Sequence, residues 1–305
     1  MLPAFLATLF FAVAVIFASR SARQVGGATA NFARMCFALI LLASWAHLFG
    51  KGLAGRSFSY FFISGCVGFG FGDIALYLAL PRIGPRLTIL LVQCLAAPIA
   101  TLTERIWLGT TMLASELICG AIILIGVGIA LAPEPHLNVS RRDLWMGATF
   151  GCIAAVGQAM GAVISRKAFQ IAALNQFQLD GLTAAYQRML GGIIISATFL
   201  AIVKIWHWNR SLRIEEPKIV NLTSPRGRFW LNVALNGFFG PVIGVGCYQW
   251  ALSSAPSGIV LPIVALTPVV TIPLAYFIEG DRPHLRSVIG GIVAVAGAIA
   301  LKRVS

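Results

Sequence analysis

Long apolar runs alternate with short polar joints along the whole chain. Ten runs, at 2–18, 30–49, 60–80, 87–108, 112–131, 144–164, 182–203, 229–252, 259–278 and 287–301, carry almost no charge. A helix rising about 1.5 Å per residue needs roughly 20 residues to cross a hydrocarbon core of about 30 Å. The runs are continuous rather than alternating, so they do not read as the strands of a membrane barrel. Lipid offers no partner to a backbone N–H or C=O, which leaves the helix, whose own bonds satisfy both. The pattern predicts an all-α membrane protein with ten transmembrane helices. Trp45, Trp107, Trp145, Trp206, Trp208, Trp230 and Trp250 fall near run ends, where an amphipathic ring prefers the headgroup layer. The first run has no basic stretch ahead of it and is expected to stay as a span rather than be cleaved as a signal peptide.

The runs repeat in two sets. Ala18-Ser-Arg20 and Phe32-Ala-Arg-Met35 resemble Ile164-Ser-Arg166 and Tyr186-Gln-Arg-Met189. Tyr77-Leu-Ala-Leu80 resembles the stretch from Tyr248 to Leu252, Pro98 matches Pro268, and Gly120 and Gly126 match Gly291 and Gly297. The spacing between matched positions widens across the 204–228 joint, the natural place for an insertion. Residues 1–133 and 143–303 are therefore expected to form two five-helix repeats. Five is odd, so the second copy enters the membrane in the opposite sense. That is an inverted repeat, an architecture in which a ligand sits near the midplane between the halves.

Composition agrees with a membrane chain: 58% of residues are hydrophobic and 11% charged. The formal net charge of +13 does not point to nucleic acid, because the Lys and Arg occupy the joints between runs. Joints after odd-numbered runs hold more of them, much of it within 204–228, and a positive-inside reading would put both termini outside. Cys36, Cys66, Cys94, Cys119, Cys152 and Cys247 lie within runs and form no CxxC pair. They read as packing residues rather than disulfides or metal ligands.

Polar groups inside the runs are the candidates for chemistry. Asp73 sits in Val67–Leu80 among Gly68, Gly70 and Gly72. An ionised carboxylate at the bilayer centre costs about 2.5–3.5 kcal/mol on insertion scales. A buried pair or a helix cap would meet that cost, and so would a ligand or a coupling proton. Gly70-Phe-Gly-Asp73 matches the GxGD sequence of intramembrane aspartyl proteases, yet Asp143, Asp180 and Asp281 stand at run ends or in joints. That chemistry needs a second carboxylate beside the first. Arg34 and Arg188 occupy equivalent places in the two halves. Each can snorkel to headgroups, or face a cavity and hold a carboxylate or phosphate by bidentate bonds. An Arg34–Asp73 interaction is expected. Gln93, Gln158, Asn232, Asn236, Gln249, Tyr77 and Tyr248 suit either interhelical hydrogen bonds or a polar cavity. Glu104 and Glu116 flank the turn after the fourth run and read as interfacial, with Glu116 a second candidate beside Asp73 for proton coupling. Pro262, Pro268 and Pro273 interrupt the ninth run, as kinks or as breaks facing a cavity.

This ordered set resembles the drug/metabolite transporter superfamily in its EamA-like branch. The resemblance rests on five plus five spans, an Arg opening the second of each half, Gly72-Asp73 ahead of Tyr77-Leu-Ala-Leu80, and a Pro in each fourth span. One departure is Glu279-Gly280 in the second half against Gly109-Thr110 in the first, where members often carry Gly-Glu. The resemblance implies a secondary transporter, an exporter or permease of small organic metabolites such as amino acids, working by alternating access. It implies both termini inside, and this orientation is the one expected. Substrate-binding candidates are Arg34, Asp73, Tyr77, Gln93, Gln158, Arg188, Asn236, Tyr248 and Gln249. Expected partners are a small-molecule substrate, protons and membrane lipids, for a monomer or homodimer in the cell (plasma or inner) membrane, with no cofactor, metal or nucleic acid. The alternative is a membrane-embedded enzyme acting on lipid or peptide substrates. His47, His136, His207 and His284 lie near run ends or in joints, and there is no HExxH and no phosphate-binding glycine loop.

Overall fold

The computed structural model describes residues 1–25, 27–132, 140–211, 226–279 and 285–304. They are almost entirely helical, with no strand among them. Ten helices are long and apolar enough to cross a membrane: α1 (Leu2–Ala22), α2 (Thr29–Leu48), α3 (Phe58–Gly84), α4 (Leu87–Leu108), α5 (Ala114–Leu131), α6 (Arg141–Leu174), α7 (Gly181–Ile205), α8 (Arg228–Ser254), α9 (Ser257–Leu274) and α10 (Leu285–Val304). An even number of spans brings both chain ends to one face, called here the terminal face. The joints between α2 and α3, α4 and α5, α6 and α7, and α8 and α9 lie there too; the joint between α3 and α4 lies at the opposite face.

Three spans depart from plain α-helix. α3 is π-helical over Cys66–Gly72, and α8 is π-helical over Phe238–Gly244, with Pro241 inside. Such turns carry an extra residue and recur at functional sites. α9 breaks at Ala265 and Leu266, between helices Ser257–Val264 and Thr267–Glu279. Pro268 has no N–H to give Val264, four residues back. The Thr267 hydroxyl donates to that carbonyl instead, at 2.7 Å, so the break leaves it paired.

α6 runs ten residues past the end expected at Ile164, because nothing in that stretch disfavours a helix. It stops at Asn175 and Gln176, the latter at φ 53°. Arg166 and Lys167, expected in a joint, are thereby helical. Between α3 and α4 the chain turns at Gly84, at φ 74° and ψ 165°, a region that essentially only glycine enters.

Small residues bring the helices together. Gly157 of α6 lies so close to α3 that a Cβ on it would stand 2.7 Å from Gly72 Cα. α5 and α10 pair through Gly126 and Gly290, whose added Cβ atoms would meet Ala294 N at 2.4 Å and Ala130 N at 2.3 Å. The glycines of α6 thus serve internal packing, as GxxxG faces do. Trp145, at 75% exposure, and Trp230, at 61%, stand out near helix ends. The side chains of Trp206, Trp208 and Glu279 lie outside the described residues, as do His136, His284, Gly280 and Asp281 and the His207 side chain.

Candidate functional site

Eight helices surround a mid-depth chamber of about 280 Å³, near the lower end of ligand pockets, which run roughly 300–1,000 Å³. Its polar wall comes from both halves: Arg34, Asp73 and Gln93 from the first, Gln158, Arg188, Asn236, Tyr248 and Thr267 from the second. Phe11, Met35, Phe69, Leu76, Val92 and Met189 supply apolar wall. Ala18 and Arg34 carry the chamber toward the opposite face.

The π-turn of α3 delivers Asp73 to this space. Its Oδ2 stands 3.7 Å from Arg34 Nη2, an ion pair in which both side chains are about one-fifth exposed. Arg34 Nε donates to Asn31 Oδ1 at 2.7 Å, which aims the guanidinium along α2 toward Asp73.

Arg188 is more enclosed, at 4% exposure. Its guanidinium carbon lies 4.8 Å from the centre of the Phe69 ring, within cation–π range. Room for it comes from Gly68 and Gly161: a Cβ on either would stand 2.9 or 3.1 Å from Nη2. Arg188 Nε has no hydrogen-bond partner, and neither do Asp73 Oδ2, Asn236 Oδ1 and Tyr248 Oη, all buried. Unpartnered buried polar atoms are rare. Here donors and acceptors converge on one void, which suits a ligand that brings both. Gln158 Nε2 faces Gln93 Oε1 at 3.4 Å across the chamber wall.

Three sequence candidates fall elsewhere. Tyr77 and Gln249 are not among the residues lining the chamber. Gln249 is fully buried, with neither amide atom hydrogen-bonded, about 100° round the helix from Tyr248. Glu116 accepts from the Leu113 N–H at 2.8 Å, at the start of α5. Glu104, expected at the interface, is 2% exposed and ion-paired with Arg166 at 3.3 Å. The apolar wall went unread because apolar residues in an apolar chain give no signal, and Thr267 because a hydroxyl that can bond its own helix's carbonyl does not stand out in a span. Among the described residues, no three His, Cys, Asp or Glu group to hold a metal.

Comparison with known proteins follows this geometry. No curated protein matches the chain. Among 29 matching solved chains, one crystal structure superposes with a TM-score of 0.76 over 99% of this chain and 96% of its own, at 17% identity. At that identity the likeness concerns the fold. The sequence profile of the EamA-like transporter family matches residues 145–302, more than half of the chain. With ten membrane-spanning helices around a polar chamber, this multi-pass membrane chain belongs to the EamA-like transporter family, small-molecule transporters of the drug/metabolite transporter superfamily.

Proposed function

We propose that the chain is a secondary transporter of small organic metabolites such as amino acids, resident in the cell (plasma or inner) membrane. One observation carries the reading. Buried polar atoms without a hydrogen-bond partner, Arg188 Nε on one side and Asp73 Oδ2 and Asn236 Oδ1 on the other, belong to residues lining a void with apolar walls. A carboxylate pairs with the guanidinium and an ammonium with the acceptors, while Phe11, Met35 and Phe69 take an apolar side chain. Asp73 is the one carboxylate among the described lining residues, and it is the proposed proton carrier. Two-carboxylate proteolysis needs a second beside it.

Alternating access between inverted repeats at 1–133 and 143–303 is the proposed mechanism. The paired π-turns support the repeat: each stands in the third span of its half, just ahead of Asp73-Ile-Ala-Leu-Tyr77 in α3 and of Val245-Gly-Cys-Tyr248 in α8. Flux of labelled amino acids into proteoliposomes tests the function. Flux lost in Arg188→Ala and Asp73→Asn, with both proteins folded, is the expected result. A folded protein that moves none of a broad solute panel would remove the reading.

A further inference from the structure

The second span of each half sends an arginine against the π-turn in the third span of the other. A Cβ added to Gly68, in the π-turn of α3, would stand 2.9 Å from Arg188 Nη2. One added to Gly240, in the π-turn of α8, would stand 3.7 Å from Arg34 Nη1. Three residues earlier, a Cβ on Gly65 would strike the Arg188 carbonyl, and one on Gly237 would lie 3.1 Å from the Arg34 carbonyl. The stretches Gly65–Leu80 and Gly237–Leu252 match without a gap. Gly65, Gly68 and Gly72 fall on Gly237, Gly240 and Gly244, and Ala79-Leu80 falls on Ala251-Leu252. Arg34-Met35 falls on Arg188-Met189. The two arginine sites thus correspond position by position.

What holds each guanidinium differs. Arg34 has two polar partners, Asn31 at 2.7 Å and Asp73 at 3.7 Å. The matching positions beside Arg188 are Ala185 and Val245. Both are buried, and neither side chain can accept a hydrogen bond. Arg188 Nε is left without a partner. Asp73 is within electrostatic reach of Arg188, but among the described residues its ion pair is with Arg34. Val245 lines the chamber and shares an apolar cluster with Met189, the residue next to Arg188. Tyr248, three residues on and on the same helix face as Val245, also reaches Arg188 electrostatically.

A guanidinium enclosed without an anion is strongly disfavoured. At Arg34 the chain supplies the anion itself. At Arg188 it does not, and the place that a carboxylate on position 245 would take belongs to the chamber instead.

We propose that Val245 is a specificity-determining residue: by withholding the carboxylate that Asp73 gives Arg34, it reserves Arg188 for one carboxylate of the substrate. The proposal rests on the reading of the chain as a carrier built from two repeats. Amines without a carboxylate are rejected because they leave Arg188 unpaired. The test measures binding of leucine, methionine and phenylalanine to the purified protein, each beside the amine that lacks its carboxylate. The parent is expected to bind each acid about tenfold or more tighter than its amine. Val245→Asp is expected to erase or reverse that preference, and Val245→Asn, its uncharged isostere, to keep most of it. The ratio between acid and amine does not move when a substitution merely loosens the fold. If the Val245→Asp chain does not fold, Val245→Cys in a chain without the native cysteines is alkylated after folding, with iodoacetate or with iodoacetamide as the uncharged control. Only the first is expected to erase the preference. A parent that binds no acid better than its amine, or a negative charge at position 245 that leaves the preference intact, overturns the proposal. Flux in proteoliposomes is read separately. The expected binding without flux keeps the proposal and removes the transport reading; equal flux of acids and amines does the reverse.

Discussion

Arg188 is the residue on which most of the site's geometry converges. Its guanidinium is planar, stacks on Phe69 and fits between Gly68 and Gly161. A lysine keeps the charge but not the fork, so Arg188→Lys is expected to lower amino-acid flux about tenfold or more. Gly161→Ala adds a carbon 3.1 Å from that guanidinium and 3.1 Å from Gly68 Cα. It is expected to weaken substrate affinity several-fold with the protein still assembled, read as a raised half-saturation concentration. Arg34 and Asp73 form an ion pair across 3.7 Å, so exchanging them as Arg34→Asp with Asp73→Arg should recover part of the folding yield that either single change loses. These three charges were legible in the sequence because an ionised group in an apolar run demands an explanation. Arg166 was not: beside Lys167 it has the look of a joint, and only the helix continuing to Leu174 turns it inward. Tyr77 and Gln249 were read as chamber candidates from their polarity; neither is among the residues lining the chamber, although Tyr77 stands one turn beyond Asp73 on the same helix face.

At the scale of the helix, α9 offers a clear test. Pro268→Ala restores an N–H to a helix that now breaks at Ala265 and Leu266. The new donor competes with the Thr267 hydroxyl for the Val264 carbonyl. Higher thermal stability with slower turnover is the expected pair of effects, measured on the same preparation by thermal unfolding and flux. Gly84→Ala forces a Cβ into φ 74°, ψ 165° and should cost about 1–3 kcal/mol of stability. The number and rough limits of the spans followed from the apolar runs. The π-turns did not, since a glycine-rich run signals close packing without saying how the backbone winds.

On the scale of the whole molecule, ten spans put both chain ends on one side. Reporters fused to each terminus should therefore report the same compartment, and the resemblance to the family makes it the cytoplasm. Fluorescent-protein and alkaline-phosphatase fusions decide between this and the outward placement that the basic joints favour. The proposed two-half organisation rests on matched arginines and prolines in the sequence, joined by the paired π-turns. The enclosure between the halves was not, because it depends on which helix faces meet.

The chamber wall holds two guanidiniums against a single carboxylate. A carrier that swings this wall from one compartment to the other without cargo drags positive charge through the electric field of the membrane. A full crossing of one charge is worth about 2.3 kcal/mol per 100 mV. Voltage would then set how quickly the unloaded protein resets, and an anionic passenger would relieve it of that drag.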